Sequence, residues 1–210
     1  MSIKEYEMDG FSLGVGEGGA LRFVFNNNSD ECGDFTIPHV LPDGEFIHFI
    51  APFSLAGHFS TLTISDGIDF VKSSLSGCRI DKVIWPSSCD YIPETCFYES
   101  SVKEIDNIDH VTNIGKAAFS RTKCLEHISW PKNCSSIPIH CFSYSSLKSI
   151  DIGSVSEIGG LAFAFADNIE SIDLSNSLVN VIGERAFYGL SREKVSFPYY
   201  LNMSSFFNIF

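Results

Sequence analysis

Seven cysteines and six histidines in a 210-residue chain are the first places to look for chemistry. Thiolates and imidazoles hold metals, or act as nucleophile and base, wherever a fold brings them together. Their spacing here advertises no such site. The chain has no C-x-x-C pair. Cys124 and His127 straddle the start of a strand-like stretch, with no third residue in view to orient the imidazole. Gly14-Val-Gly-Glu-Gly-Gly19 satisfies G-x-G-x-x-G, which needs a helix whose amide end meets a pyrophosphate. Leu21 to Phe25 alternates like a strand instead, so the stretch reads as a turn region. Asn27, Asn133 and Asn202 open N-x-S sequons, which matter only in a secreted protein. The reading is therefore no catalytic residue, no metal and no cofactor.

The elements that must position these side chains follow from a period of about 22 residues. Leu125-Glu-His-Ile128-Ser-Trp130-Pro131, Leu147-Lys-Ser-Ile150-Asp-Ile152 and Ile169-Glu-Ser-Ile172-Asp-Leu174 are copies of one phrase. A second phrase follows each: Ile137-Pro-Ile-His-Cys141-Phe142, Ile158-Gly-Gly-Leu-Ala162-Phe163 and Ile182-Gly-Glu-Arg-Ala186-Phe187. Ile80 to Phe97 and Val102 to Phe119 fit the same pattern, Phe59 to Leu75 is a degenerate copy, and Val195-Ser-Phe-Pro198 a partial last one. A unit this short cannot bury its own apolar face, so the copies must stack as a solenoid.

Alternation in the first phrase sends Leu62, Val83, Ile105, Ile128, Ile150, Ile172 and Val195 inward as one column. Trp85, Trp130, Ile152, Leu174 and Phe197 form the next, interrupted at Asn107, which reads as a local bulge or a buried Asn with backbone partners. Phe97, Phe119, Phe142, Phe163 and Phe187 are expected to stack as an aromatic ladder beside a slot for small residues. Cys96 and Cys141 occupy that slot, two coils apart and beyond disulfide reach, as small hydrophobes. Gly115, Gly159 and Gly183 alternate with Pro93 and Pro138 where the backbone must redirect.

Outward strand positions supply the candidate binding surface. Lys82, Glu104, His127 and Lys194 share one column, and Asp106, Asp151 and Asp173 share the next. Adjacent rungs would set Asp151 and Asp173 about 5 Å apart. Like charges so placed destabilise a sheet, an arrangement that suits a basic protein partner. The strip lacks Trp, Tyr and Arg, the usual interface anchors. Tyr98, Tyr144 and Tyr188 lie just past the Phe ladder and offer a second candidate surface at the coil edge.

The two-part phrase resembles the BspA-like class of leucine-rich repeats, found in surface antigens and adhesins. The resemblance covers about residues 59–210 and implies a solenoid with short parallel strands on the concave face and irregular or short helical segments on the convex side. It implies protein binding, often adhesion, and carries no catalytic residue with it.

Composition bounds the rest. A net charge of −12 disfavours nucleic acid and anionic membrane surfaces. No apolar run is long enough for a transmembrane segment, and Met1 to Gly10 lacks the core of a secretory signal, which predicts a cytoplasmic protein; the resemblance implies a cell surface. Residues 1–57 do not follow the repeat and are expected to form a β-rich N-terminal cap, with residues 58–210 a leucine-rich-repeat solenoid of about six units plus a partial one. Phe206, Phe207 and Phe210 end the chain on apolar residues, either as a lid or as a self-association surface. The expected function is a non-enzymatic protein-binding module of adhesion type, the alternative a scaffold subunit using that apolar end.

Overall fold

Alternating apolar residues give each coil one short strand, and stacked coils pair these strands in parallel. The computed structural model describes residues 3–27, 32–202 and 208–210 and is a β-solenoid of about seven turns. Strands Gly33–Ile37, His58–Ile64, Arg79–Ile84 and Glu104–Asp106 form one parallel sheet. His127–Ser129 pairs with Ser149–Asp151, and Ile172–Asp173 with Val195–Ser196. The register agrees with the sequence columns: Leu62 opposes Val83, Val83 opposes Ile105, Ile128 opposes Ile150, and Ile172 opposes Val195. A second ladder runs through the other phrase, pairing Tyr91–Ile92 with Asn113–Ile114, Ser136–Ile137 with Glu157–Ile158, and Glu157–Ile158 in turn with Val181–Ile182.

The remaining side of each coil is turn rather than helix; among the described residues the helical segments are the 3-10 turns Glu17–Gly19 and Arg192–Lys194. Here each ladder Phe donates its N–H to the next coil: Phe97 to Ala118 O at 2.8 Å, Phe119 to Cys141 O at 3.0 Å, and Phe142 to Ala162 O at 2.7 Å. The residues two before and two after each Phe adopt positive φ, as in Thr95 and Glu99 (54° and 58°), His140 and Tyr144 (58° and 57°), and Leu161 and Phe165 (56° and 55°). Their N–H groups point to the next coil too, with Tyr144 donating to Ala164 O at 2.9 Å and Phe165 to Tyr188 O at 2.8 Å. An L-residue in this left-handed conformation costs roughly 1–2 kcal/mol, so the inter-coil hydrogen bonds are made against a backbone penalty.

The ladder Phe rings are fully buried and nearly parallel, with centroid spacings of 5.5, 5.3, 5.5 and 5.7 Å from Phe97 through Phe187. Each Trp-Pro turn is closed from inside: Trp85 Nε1 donates to Cys89 O and Trp130 Nε1 to Cys134 O, both at 3.1 Å. Asn107 is not buried. It is exposed at φ 62°, and its Nδ2 donates to Trp85 O at 2.7 Å, so it ends its strand as a turn residue.

Upstream, Lys4–Met8, Phe11–Gly16 and Ala20–Asn26 form an antiparallel meander, and Ala20–Asn26 joins Phe49–Ile50 in parallel. Gly14 lies in this meander against Phe23, and Gly18 and Gly19 turn with φ 69° and 71° between two antiparallel strands; the segment leads into strand Ala20–Asn26, not into the helix that a dinucleotide fingerprint needs. At the other end, Arg185 N and Phe187 N donate to Asn208 O and Ile209 O, so the last described residues stack like a further coil. Phe210 packs on Phe187 and Phe197, with centroids 5.6 and 6.3 Å away, which gives it a place on the last coil; Phe206 and Phe207 lie outside the described residues.

Candidate functional site

The strand face holds most of the predicted charged residues, already joined in pairs. Lys82 Nζ lies 3.3 Å from Glu104 and 2.5 Å from Asp106, and those carboxylates raise the Lys82 pKa, Asp106 most. His127 contacts Ser149 Oγ through Nδ1 at 2.9 Å and Asp151 through Nε2 at 3.4 Å, so its ring is aimed at the next strand rather than at Cys124. Asp173 takes a hydrogen bond from its own turn, Ser175 N at 2.9 Å, and hydrogen bonding from Ser175 lowers its pKa. Lys194 sits in the 3-10 turn before its strand and donates to Asp167 O at 3.3 Å. These residues do not form one continuous strip. Glu104–Asp106 ends the four-stranded sheet, and His127–Ser129 begins a separate pair. A groove opens at that break, lined among others by Asp106, Asn107, Asp109 and His127.

The coil edge is different in kind. Tyr144 stacks on Phe165 at 4.8 Å, and Phe165 meets Tyr188 edge-on at 5.1 Å. The three are 51%, 37% and 42% exposed. Arg121 lies over the Tyr144 ring at 5.0 Å and Arg185 over Tyr188 at 5.6 Å. Two guanidinium groups thus flank a run of aromatic faces, a composition enriched in protein-binding hot spots. Tyr98 stands apart, in a shallow groove with Phe53, Gly77 and Thr95, and the coil of Arg121 separates it from Tyr144. Sequence reading missed Phe165, the residue that joins Tyr144 to Tyr188. Its signal was position: like Tyr144 it stands two residues past a ladder Phe.

All seven cysteines are free; Cys32 is exposed, Cys124 half-buried, and the other five are buried. Burial pushes the Cys78 thiol up to about 12 and raises Cys96 and Cys141 well above the ordinary value. Such thiols stay protonated and inert.

Comparison with known families matches the BspA type leucine-rich repeat region, in six copies, over residues 52–148 and 91–208. No curated protein matches the sequence. Among solved structures, a leucine-rich cell surface protein from Faecalibacterium prausnitzii aligns with 89% of this chain and 52% of its own, at 20% identity and a TM-score of 0.62. This chain thus spans about half of that protein's length, and the likeness is one of fold. The pneumococcal vaccine antigen PcpA aligns with 89% of this chain and 79% of its own, at 15% identity and a TM-score of 0.35. Among the described residues no helix is long and apolar enough to cross a membrane.

Proposed function

The chain belongs to the BspA-type leucine-rich repeat family, and on that premise we propose that it is a non-enzymatic protein-binding module whose contact surface is the edge Tyr144–Phe165–Tyr188. One observation carries the choice of surface. The slot two residues past the ladder position holds glycine in the first and last full coils, Gly77 and Gly189, at φ 71° and 89°. Glycine is the residue that adopts positive φ without steric cost. In the four coils between, the slot holds Glu99, Arg121, Tyr144 and Phe165 at φ 58°, 58°, 57° and 55°, and the last two leave large rings in water. The strain is common to these coils; what sets Tyr144 and Phe165 apart is that neighbouring slots carry exposed rings that stack outside the core, a surface suited to a partner's apolar patch.

The flanking Arg121 and Arg185 fit a partner that offers an apolar patch bordered by carboxylates. A basic partner on the strand face is the second reading; it is the weaker one because the candidate residues there, Lys82, Glu104, Asp106, His127, Asp151, Asp173 and Lys194, include no Trp, Tyr, Phe or Arg. The test is a photo-crosslinking residue placed at position 165 or, for comparison, at position 129 on the strand face. Capture of a distinct protein from 165 but not 129 supports this reading. Capture from 129 alone favours the strand face, and capture of a second copy of the chain favours a scaffold. Labelling of intact source cells with an impermeant reagent tests the further reading that the module is displayed on the cell surface, as an adhesin would be.

A further inference from the structure

Three side chains of metal-binding type meet where the N-terminal segment joins the solenoid. Cys32 immediately precedes strand Gly33–Ile37, His58 opens His58–Ile64, and Asp81 lies within Arg79–Ile84, three consecutive strands of one parallel sheet. One ligand atom from each falls within 4.8 Å of the other two. His58 Nε2 is 3.0 Å from Asp81 Oδ1, and Ser60 Oγ donates to Cys32 Sγ at 2.8 Å. Lys103, one coil further on, reaches the same Asp81 oxygen at 2.9 Å. Cys32 is exposed and the His58 and Asp81 side chains are each 33% exposed, so an ion can reach all three from solution.

We propose that Cys32, His58 and Asp81 bind a zinc-class divalent cation, which ties the strand after Cys32 to the two coils that follow. The donor set selects the class. A thiolate, an imidazole and a carboxylate together suit zinc and its neighbours, whereas calcium and magnesium take oxygen ligands alone. Zinc–ligand bonds of roughly 2.0–2.3 Å in a tetrahedral site set donor atoms about 3.3–3.7 Å apart. The present spacing, bounded at 4.8 Å, therefore closes by at most about 1.5 Å when the ion enters. Three protein ligands leave a fourth position for water or for a group from a binding partner. Lys103 holds a place that the cation would take: its ammonium neutralises Asp81, and its side chain, 57% exposed, is free to swing away. The net charge of −12 favours cation capture in general, but the thiolate gives this site its selectivity. The three residues lie in or just before three different strands, and Cys32 lies outside the repeat, so no sequence spacing signals the site.

Titration of the metal-free protein with cobalt(II), followed by zinc competition, tests the proposal. One equivalent of cobalt should produce a thiolate-to-cobalt charge-transfer band, which zinc then removes. Cys32→Ser should abolish the band and weaken zinc binding by about 100-fold or more, since even outer-shell changes cost 10–100-fold. His58→Ala should weaken binding similarly. Lys103→Ala should tighten it by about two- to fivefold, the worth of one exposed ion pair. Cys124→Ser should change neither readout. Absence of the band in the wild type, its persistence in Cys32→Ser, or its loss in Cys124→Ser would overturn the proposal. Because Cys32 is exposed, metal-free Cys32→Ser should melt with the wild type, which separates ligand loss from misfolding.

Discussion

Tyr144 and Phe165 stack at 4.8 Å with planes 19° apart, one coil from each other, and both rings stand outside the core. Two residues earlier in each coil, Phe142 and Phe163 stack at 5.5 Å and 12°, fully buried. The same period therefore makes two aromatic stacks, one inside that holds coils together and one outside that faces solvent.

The two stacks should respond differently to truncation. Phe142→Ala leaves a cavity with ladder rings on both sides and should cost about 3–5 kcal/mol. Tyr144→Ala loses a half-exposed stacking contact and a cation–π contact, about 0.5–1.5 kcal/mol. Urea unfolding of both variants checks this, and equal losses would mean that the outer stack is structural.

Much of this was legible in the sequence, because a period-2 strand phrase repeated in register determines which residues oppose one another. The pairing of Thr61 with Lys82, of Lys82 with Glu104, and of Ser129 with Asp151 follows from the columns alone. The positive-φ slots were not legible. Thr95, Ala117, His140, Leu161 and Arg185 occupy equivalent positions and share no chemistry, since what is common to them is a backbone shape imposed by inter-coil hydrogen bonding. Nor was the break between Glu104–Asp106 and His127–Ser129, which follows from Asn107 turning the chain out of its strand. Repeat columns place Lys82 and Asp106 on the outward face as candidate binding groups, but not the ion pair that cross-strand neighbours make of them.

Gly183 illustrates a requirement that is steric rather than conformational. A Cβ there would lie 2.3 Å from Gly160 N of the preceding coil, and one on Gly159 would lie 2.5 Å from Ile139 N. Gly183→Ala should push the coils apart and cost about 1–3 kcal/mol. Gly153, at φ 59° with no atom within 4 Å of its virtual Cβ, should accept Asn with little change. Denaturant midpoints of the two variants should differ in that order.

The buried thiols predict an alkaline limit. Cys78 has an ordinary value of 9.0 that burial raises to about 12, so the folded state keeps a proton that the unfolded state loses. Its contribution is complete below pH 9 and is lost as pH rises toward 12, at up to about 1.4 kcal/mol per pH unit. Cys96 and Cys141 add to the same slope. Stability measured across that range should fall, and Cys78→Ala should flatten the fall. With a thiol reagent at neutral pH, Cys32 and Cys124 should react in the native protein and all seven cysteines after unfolding.

The double variant Tyr144→Gly/Phe165→Gly tests the central claim most directly, because it separates folding from binding at the same two residues. Glycine relieves the positive-φ penalty at both positions while removing both exposed rings. Unfolding free energy should stay within about 1 kcal/mol of the wild type, the left-handed penalty of roughly 1–2 kcal/mol per residue offsetting the lost stacking. Affinity for the partner captured through position 165 should fall at least tenfold, as for the loss of interface hot spots. A variant that binds this partner as tightly as the wild type would contradict the account.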